Sequence, residues 1–171
     1  MYRQPIENKM NREIKFRGKR KLNGDWVFGS YLPSLIEDSC EIVRGNHYHD
    51  DDSECDFIRV ITKTVGQFTG FIVKESKKNV EFEIYEDDIF RHTKETDKGD
   101  ITTYSVVMWI KQRGAFYFVP VEHYEVVKNN DVSKEKQFEW LFQDACLYDF
   151  SIDVRLMKVG NIHDNPELLT N

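Results

Sequence analysis

The sequence predicts a mainly β fold, α+β in minor part only, made of two small β modules. The C-terminal module is expected to be an SH3-like, partly open barrel with one helix. Three observations predict this: repeated runs that alternate apolar with polar residues and are rich in Val, Ile, Phe and Tyr; glycine-bearing turn signals between those runs; and one stretch with helical period. A chain of 171 residues, 40% of them hydrophobic, is enough for one domain or two small ones sharing a core.

Residues 1–11 are polar and aperiodic and are expected to be a flexible leader. The N-terminal module is expected over 12–73. In Glu13-Ile14-Lys15-Phe16-Arg17 the alternation puts Ile14 and Phe16 on one strand face and Lys15 and Arg17 on the other. Asn23-Gly24 suits the two positive φ angles of a type I′ turn, so Asp25–Leu32 is expected to return as the second strand of a hairpin. Short β-rich runs follow at Cys40–Val43, Phe57–Ile61 and Val65–Val73. The last of these is punctuated by Gly66 and Gly70, which signal bends.

The C-terminal module is expected over 80–171. Val80–Ile84 and Tyr85–Phe90 open it, Lys98-Gly99-Asp100 supplies a turn, and Thr102–Lys111 reads as a long strand. Arg113-Gly114 leads into Ala115–Val119, and Pro120, with no donor for a ladder, ends that strand. Phe138, Leu141, Phe142, Ala145 and Cys146 fall on one helical face with Ser133 as N-cap, predicting a helix over about 134–148. Ile152–Val159 returns to strand, and Pro166 at the first position of Pro166–Leu169 predicts one C-terminal helical turn.

No apolar run approaches the roughly 20 residues a membrane-spanning helix needs, and residues 1–7 lack a signal-peptide core. The cytoplasm is the expected compartment, with no membrane partner. Three cysteines (Cys40, Cys55 and Cys146) without CxxC spacing are expected to be reduced thiols. Net charge is −6 but uneven: residues 1–21 carry eight basic and two acidic side chains, and the remaining 150 carry 16 and 28. The basic end makes Lys19, Arg20 and Lys21 candidate nucleic-acid contacts. Basic residues also occupy the outer face of ordinary strands, and the acidic remainder would repel phosphates.

Metal ligands, if any, are expected at His47, His49, Asp50 and Asp52, in a segment that also holds Asp51, Glu54, Cys55 and Asp56. Imidazole, carboxylate and thiolate together suit a borderline metal such as zinc. One polar loop would have to order itself for this, however, and the spacing fits no zinc finger, HExxH helix or EF-hand, so a solvated acidic loop is the favoured reading. Glu81 and Glu83 share a strand face, as paired carboxylates can in hydrolases and as any exposed strand face does. Neither GxSxG, GxGxxG nor GxxxxGK[ST] occurs. No catalytic residue and no cofactor is therefore assigned. Trp109, Phe116, Tyr117 and Phe118 offer a possible base-stacking platform, although alternation should turn half of them inward.

Five strings in order resemble landmarks of the YopX family of phage and prophage proteins: Arg12–Lys19, Asn23–Gly29, Thr64–Gly70, Ile84–Ile89 and Val159–Leu169. The sequence departs at Phe71, where leucine is common, and at Asp87, where the family usually has glycine. The second departure bears on the turn before Ile89, because aspartate tolerates left-handed φ less easily. The resemblance implies a phage or prophage origin, the bacterial cytoplasm and a mostly β structure, and it carries over no enzyme activity and no catalytic residue. The function expected is that of a non-enzymatic accessory protein working through protein contacts, with a protein partner or as a homo-oligomer. The alternatives are a nucleic-acid-binding or regulatory module and, third, a metal-dependent hydrolase.

Overall fold

The computed structural model describes residues 13–34, 39–44, 56–75, 80–111, 113–129 and 154–170. Its strands are β1 (Phe16–Lys19), β2 (Trp26–Pro33), β3 (Cys40–Arg44), β4 (Asp56–Val60), β5 (Gly66–Glu75), β6 (Val80–Tyr85), β7 (Asp88–Thr96), β8 (Gly99–Ile110), β9 (Ala115–Pro120) and β10 (Val154–Asn161). One short helix, α1 (Tyr124–Lys128), and 3-10 turns at Thr62–Thr64, Val121–His123 and Pro166–Thr170 complete the described elements. The strands form a six-stranded sheet in the order β4-β3-β2-β1-β5-β6 and a four-stranded sheet in the order β10-β7-β8-β9. The fold is mainly β, and neither sheet closes into a barrel among the described residues. The helix expected at about 134–148 lies outside them. The chain divides into two compact units, residues 1–72 and 73–171.

In the first unit β1 and β2 form the expected hairpin, with Phe16 opposite Gly29 and Lys19 opposite Trp26. Its turn is wider than a type I′ turn. Arg20 N–H donates to Asp25 O, Gly24 N–H donates to Arg20 O, and Gly24 takes φ +78° while Asn23 keeps negative φ. A single left-handed residue suffices because the loop has four residues rather than two. β3 and β4 continue the meander, and β4 comes back to the end of β1. Val60 bridges Arg20, Ile61 N–H donates to Lys19 O, and Lys21 N–H donates to Arg59 O.

This curl buries one face. Val27, Cys40, Ile42 and Val60 form its core, with Phe16, Ile58 and Val65 packed against them. Two glycines permit the close approach. A Cβ at Gly18 would touch the Val60 side chain, and one at Gly29 would fall on the Val43 carbonyl oxygen. Cys40 is a buried free thiol beside the Thr62 hydroxyl, as expected for a structural cysteine; Cys55 and Cys146 lie outside the described residues.

In the second unit the four-stranded sheet is buried on both faces. Phe90, Val107, Phe116 and Phe118 pack on one side with Ile84, and Ile89, Val106, Val121 and Tyr124 pack on the other. The unbroken apolar run Phe116-Tyr117-Phe118-Val119 has this origin: Phe116 and Phe118 join the first core while Tyr117 and Val119 join Ile110 in a third cluster on the opposite side. Alternation therefore does not turn half of these aromatics outward. Trp109 is the member of the expected stacking platform that stays exposed, with its ring edge against Phe116. The helix α1 follows Pro120 and a 3-10 turn. It places Tyr124 in the core, and its five residues are too few to show helical periodicity in the sequence.

Gly29→Ala is expected to cost about 2 kcal/mol or more, since the methyl group meets backbone rather than a movable side chain. Gly24→Asn, at a left-handed position with open space around it, should stay within about 1 kcal/mol of the parent. Urea unfolding of the two variants checks the contrast.

Candidate functional site: a cation–aromatic face on the first sheet

The face of β1 opposite the core carries Arg17 and Lys19, and Lys15, directly before the strand, continues the alternation. Their surroundings differ from a plain solvated face. The Arg17 guanidinium lies 4.7 Å from the centre of the Trp26 ring, Lys19 Nζ lies 5.5 Å from it, and Lys15 Nζ lies 4.9 Å from the Phe68 ring centre. Arg17 is only 4% exposed, and the residue opposite it on β5 is Gly66, which adds no side chain to that crowded position. Lys15 also pairs with Glu13 at 3.3 Å, and Lys19 N–H donates to the Thr64 hydroxyl. The arrangement is a ladder of cations resting on aromatic rings, each contact favourable through the ring quadrupole.

Across β2, β3 and β4 the same face turns apolar. Phe28 sits opposite Arg17, Ser30 sits opposite Val43, and Val43 sits opposite Phe57. Phe28 is 47% exposed, Leu32 43% and Phe57 57%, while Val43 between them is buried. By strand spacing, Phe28 and Leu32 stand about 13 Å apart on β2 with Ser30 between them, and Phe57 lies two strands away, about 12 Å from each. Glu41 and Arg59, 3.8 Å apart, border the patch. Large apolar groups left exposed at intervals on a face that also carries a row of cations mark this surface.

The residues expected from sequence fare differently. Lys19 joins the ladder; Arg20 is half-buried at the bridge to Val60; Lys21 is exposed in the turn. The three adjacent residues do not act as one cluster, whereas Lys15, Arg17 and Lys19 do, because period two rather than adjacency sets which side chains share a face. His47, His49, Asp50 and Asp52 lie outside the described residues. Among the described residues no group of three or more His, Cys, Asp or Glu side chains could hold a metal ion. Of the strand-face carboxylates, Glu81 is exposed and Glu83 accepts a hydrogen bond from the Tyr85 hydroxyl at 2.7 Å.

A second polar constellation, in the other unit, is a clasp. Asp87 takes φ +69°, the left-handed conformation usual for the glycine that the resemblance places there. Its backbone is tied on both sides, N–H to Val107 O at 2.8 Å and carbonyl from Ile162 N–H at 3.0 Å, and its carboxylate lies 3.1 Å from His163 Nε2. The neighbouring Asp88, fully buried, accepts from Tyr85 N–H at 2.9 Å and from Lys158 Nζ at 2.8 Å. Asn161 pairs with Asp88 across the β10–β7 ladder and caps the following turn, its side-chain oxygen accepting from His163 and Asp164 N–H. Tyr124 adjoins this clasp. Burial pushes its phenol up from the ordinary value, and the hydrogen bond with Lys128 opposes that shift. The same hydrogen bond raises Lys128.

The clasp holds the turn before β7 against the turn after β10. Gly160 leaves the space that the Asn165 side chain fills, and Ile162, Leu168 and Leu169 pack on the core around Ile89 and Tyr124. No helix of the described residues is long and apolar enough to cross a membrane.

His92, 7% exposed with its ring edge-on to Phe118, has its pKa lowered by burial to about 4. Its folded-state value lies below the unfolded one, so the unfolded chain binds the extra proton. Stability should be full above about pH 6.5 and fall as pH drops towards 4, by up to about 3 kcal/mol. His92→Phe should flatten that slope in urea titrations at pH 7 and pH 4.5. At the clasp, Asp87→Gly should relieve the left-handed strain and stay within about 1 kcal/mol of the parent, whereas Asp87→Val should cost about 2 kcal/mol by thermal unfolding.

No curated protein and no solved structure matches the chain. The family model described as YopX protein matches residues 15–170, which takes in all but the first few residues of the five landmark strings. The first of those strings rests on two others, Arg17 on Trp26 and Lys15 on Phe68, and the remaining two meet at Asp87 and His163 in the clasp. The chain belongs to the YopX family.

Proposed function

We propose that this YopX protein is an accessory protein of a phage or prophage, acting in the bacterial cytoplasm by protein contacts rather than by catalysis. The observation that carries the reading is the exposure of Phe28, Leu32 and Phe57 on one face of a sheet whose opposite face already holds a core. Interfaces are built around large apolar anchors of this kind, and a protein gains nothing in its own stability by leaving them in water. A second copy of the chain is one partner such a face could take. Membership of the family supports a phage-type role and supplies no chemistry to attach to it.

A tagged full chain is expected to capture a defined protein from nuclease-treated bacterial lysate. The double change Phe28→Ser and Phe57→Ser should abolish capture while moving the unfolding free energy by less than about 1 kcal/mol, as exposed substitutions do. Capture indifferent to both changes would sink the reading.

A further inference from the structure

The turn that joins β1 to β2 holds the sequence's single Asn-Gly pair, Asn23-Gly24. We infer that Asn23 is a self-modifying site, closing on the Gly24 amide to a succinimide that water opens to aspartate or isoaspartate. The inference stands apart from the protein-contact reading, and its only co-reactant is water.

The chemistry is an intramolecular acyl transfer. The backbone nitrogen of Gly24 adds to Cγ of Asn23, so that an N–Cγ bond forms and the Cγ–Nδ2 bond breaks. The Gly24 amide proton passes to solvent, and Nδ2 takes a proton from water and leaves as ammonia. Water then opens the ring by breaking one of its two bonds to the Gly24 nitrogen: attack at Cγ returns aspartate, and attack at the main-chain carbon gives isoaspartate. Nucleophile and carbonyl are tethered in a five-membered ring, which supplies proximity at no further cost. Gly24 has no Cβ to shield the attacking nitrogen.

The turn sets the rate through three features. Residues 21–25 are all exposed, and a Cβ built on Gly24 would meet nothing within 4 Å, so the ring has room to form. Asn23 Oδ1 accepts from Asp25 N–H at 3.2 Å, and Nδ2 donates to Asp25 Oδ2 at 2.5 Å. The first bond meets the oxygen that becomes negative as the nitrogen adds, and the second holds the side chain over its own turn. Against these, Gly24 N–H donates to Arg20 O at 3.0 Å, which engages the nucleophile. That bond closes a turn at the tip of a hairpin, where local opening is easy, so it gates the reaction without preventing it.

The product does not fit the turn that makes it. Where an amide donates to Asp25, a carboxylate would stand against a carboxylate, and like charges oppose that contact. In the isoaspartate form the main chain also gains a methylene. Each conversion takes the net charge of −6 one unit further negative.

The test holds the full chain at physiological temperature and neutral pH and follows by mass spectrometry the tryptic peptide 22–44, in which Asn23 is the only amide side chain. A synthetic peptide of residues 19–27 is the reference. The folded chain is expected to gain about 1 Da per conversion at a rate within about tenfold of the peptide's, since one hydrogen bond is all that must open. The rate should rise with pH, and electron-transfer fragmentation should find isoaspartate as well as aspartate. Gly24→Ala puts a methyl group beside the attacking nitrogen and should slow the gain at least tenfold. Strain from alanine at this left-handed position would loosen the turn and act the other way, so slowing is not an effect of unfolding. Asn23→Gln, which would need a six-membered ring, should abolish the gain. A folded chain more than tenfold slower than the peptide, aspartate without isoaspartate, or a rate indifferent to Gly24→Ala would each overturn the inference.

Discussion

A strand can serve two cores only when both its faces are apolar, and β1 is apolar on one face alone. Phe16 and Gly18 turn inward, while Lys15, Arg17 and Lys19 must go to the other side. Everything distinctive about the first unit follows. The sheet curls around a single cluster of Val27, Cys40, Ile42 and Val60, and the curl is possible because Gly18 and Gly29 let neighbouring strands approach. The outer face then has to accommodate three cations, and it does so by laying two rings, Trp26 and Phe68, beneath them. Arg17 becomes a packed residue with a charged head rather than a solvated one.

The second unit answers the same constraint the other way. Its strands β7, β8 and β9 are apolar on both faces, so its sheet is sandwiched, and the elements that cover it must be held in place. A buried carboxylate at Asp88, joined to Lys158 and to the Tyr85 amide, anchors the tight turn between β6 and β7. Such a pair is a strong reason for conformational specificity only when its hydrogen-bonding capacity is met, as it is here by backbone and ammonium together. The turn after β10 locks on to it through Ile162 and His163. The strings by which the family is recognised in this region are thus the parts that the packing of the second unit requires.

Much of this was legible in the sequence. The alternation around Phe16, the hairpin through Asn23 and Gly24, the end of β9 at Pro120 and the turn begun by Pro166 are local effects, and local rules found them. The glycine usual at position 87 pointed to a left-handed residue there, and the aspartate keeps that conformation because three bonds hold it. What was not legible depends on pairing between distant segments. Nothing in the sequence places Phe68 under Lys15, since β1 and β5 are joined only by folding; nothing separates Lys19 from Arg20 except strand periodicity applied to a pairing not yet known. The pairing that sets Phe57 beside Val43 and Ser30 belongs to the same class. The short helix α1 falls below the length at which periodicity is informative, and its role, delivering Tyr124 to a core, is a tertiary one.

The ladder between β7 and β10 joins Ile89 to Gly160, and the turn that follows β10 completes the core around Ile89 and Tyr124. This has a kinetic consequence during synthesis. The core of the first unit comes from residues before position 72 and can assemble while later codons are still being read. Val121 and Tyr124 reach one side of the second unit's central sheet early, but its cover is complete only when Ile162, Leu168 and Leu169 have left the ribosome. Until β10 is made, β7 has β8 on one side only and presents an open edge with apolar residues on both faces, the kind of surface that chaperones hold and that aggregates form from.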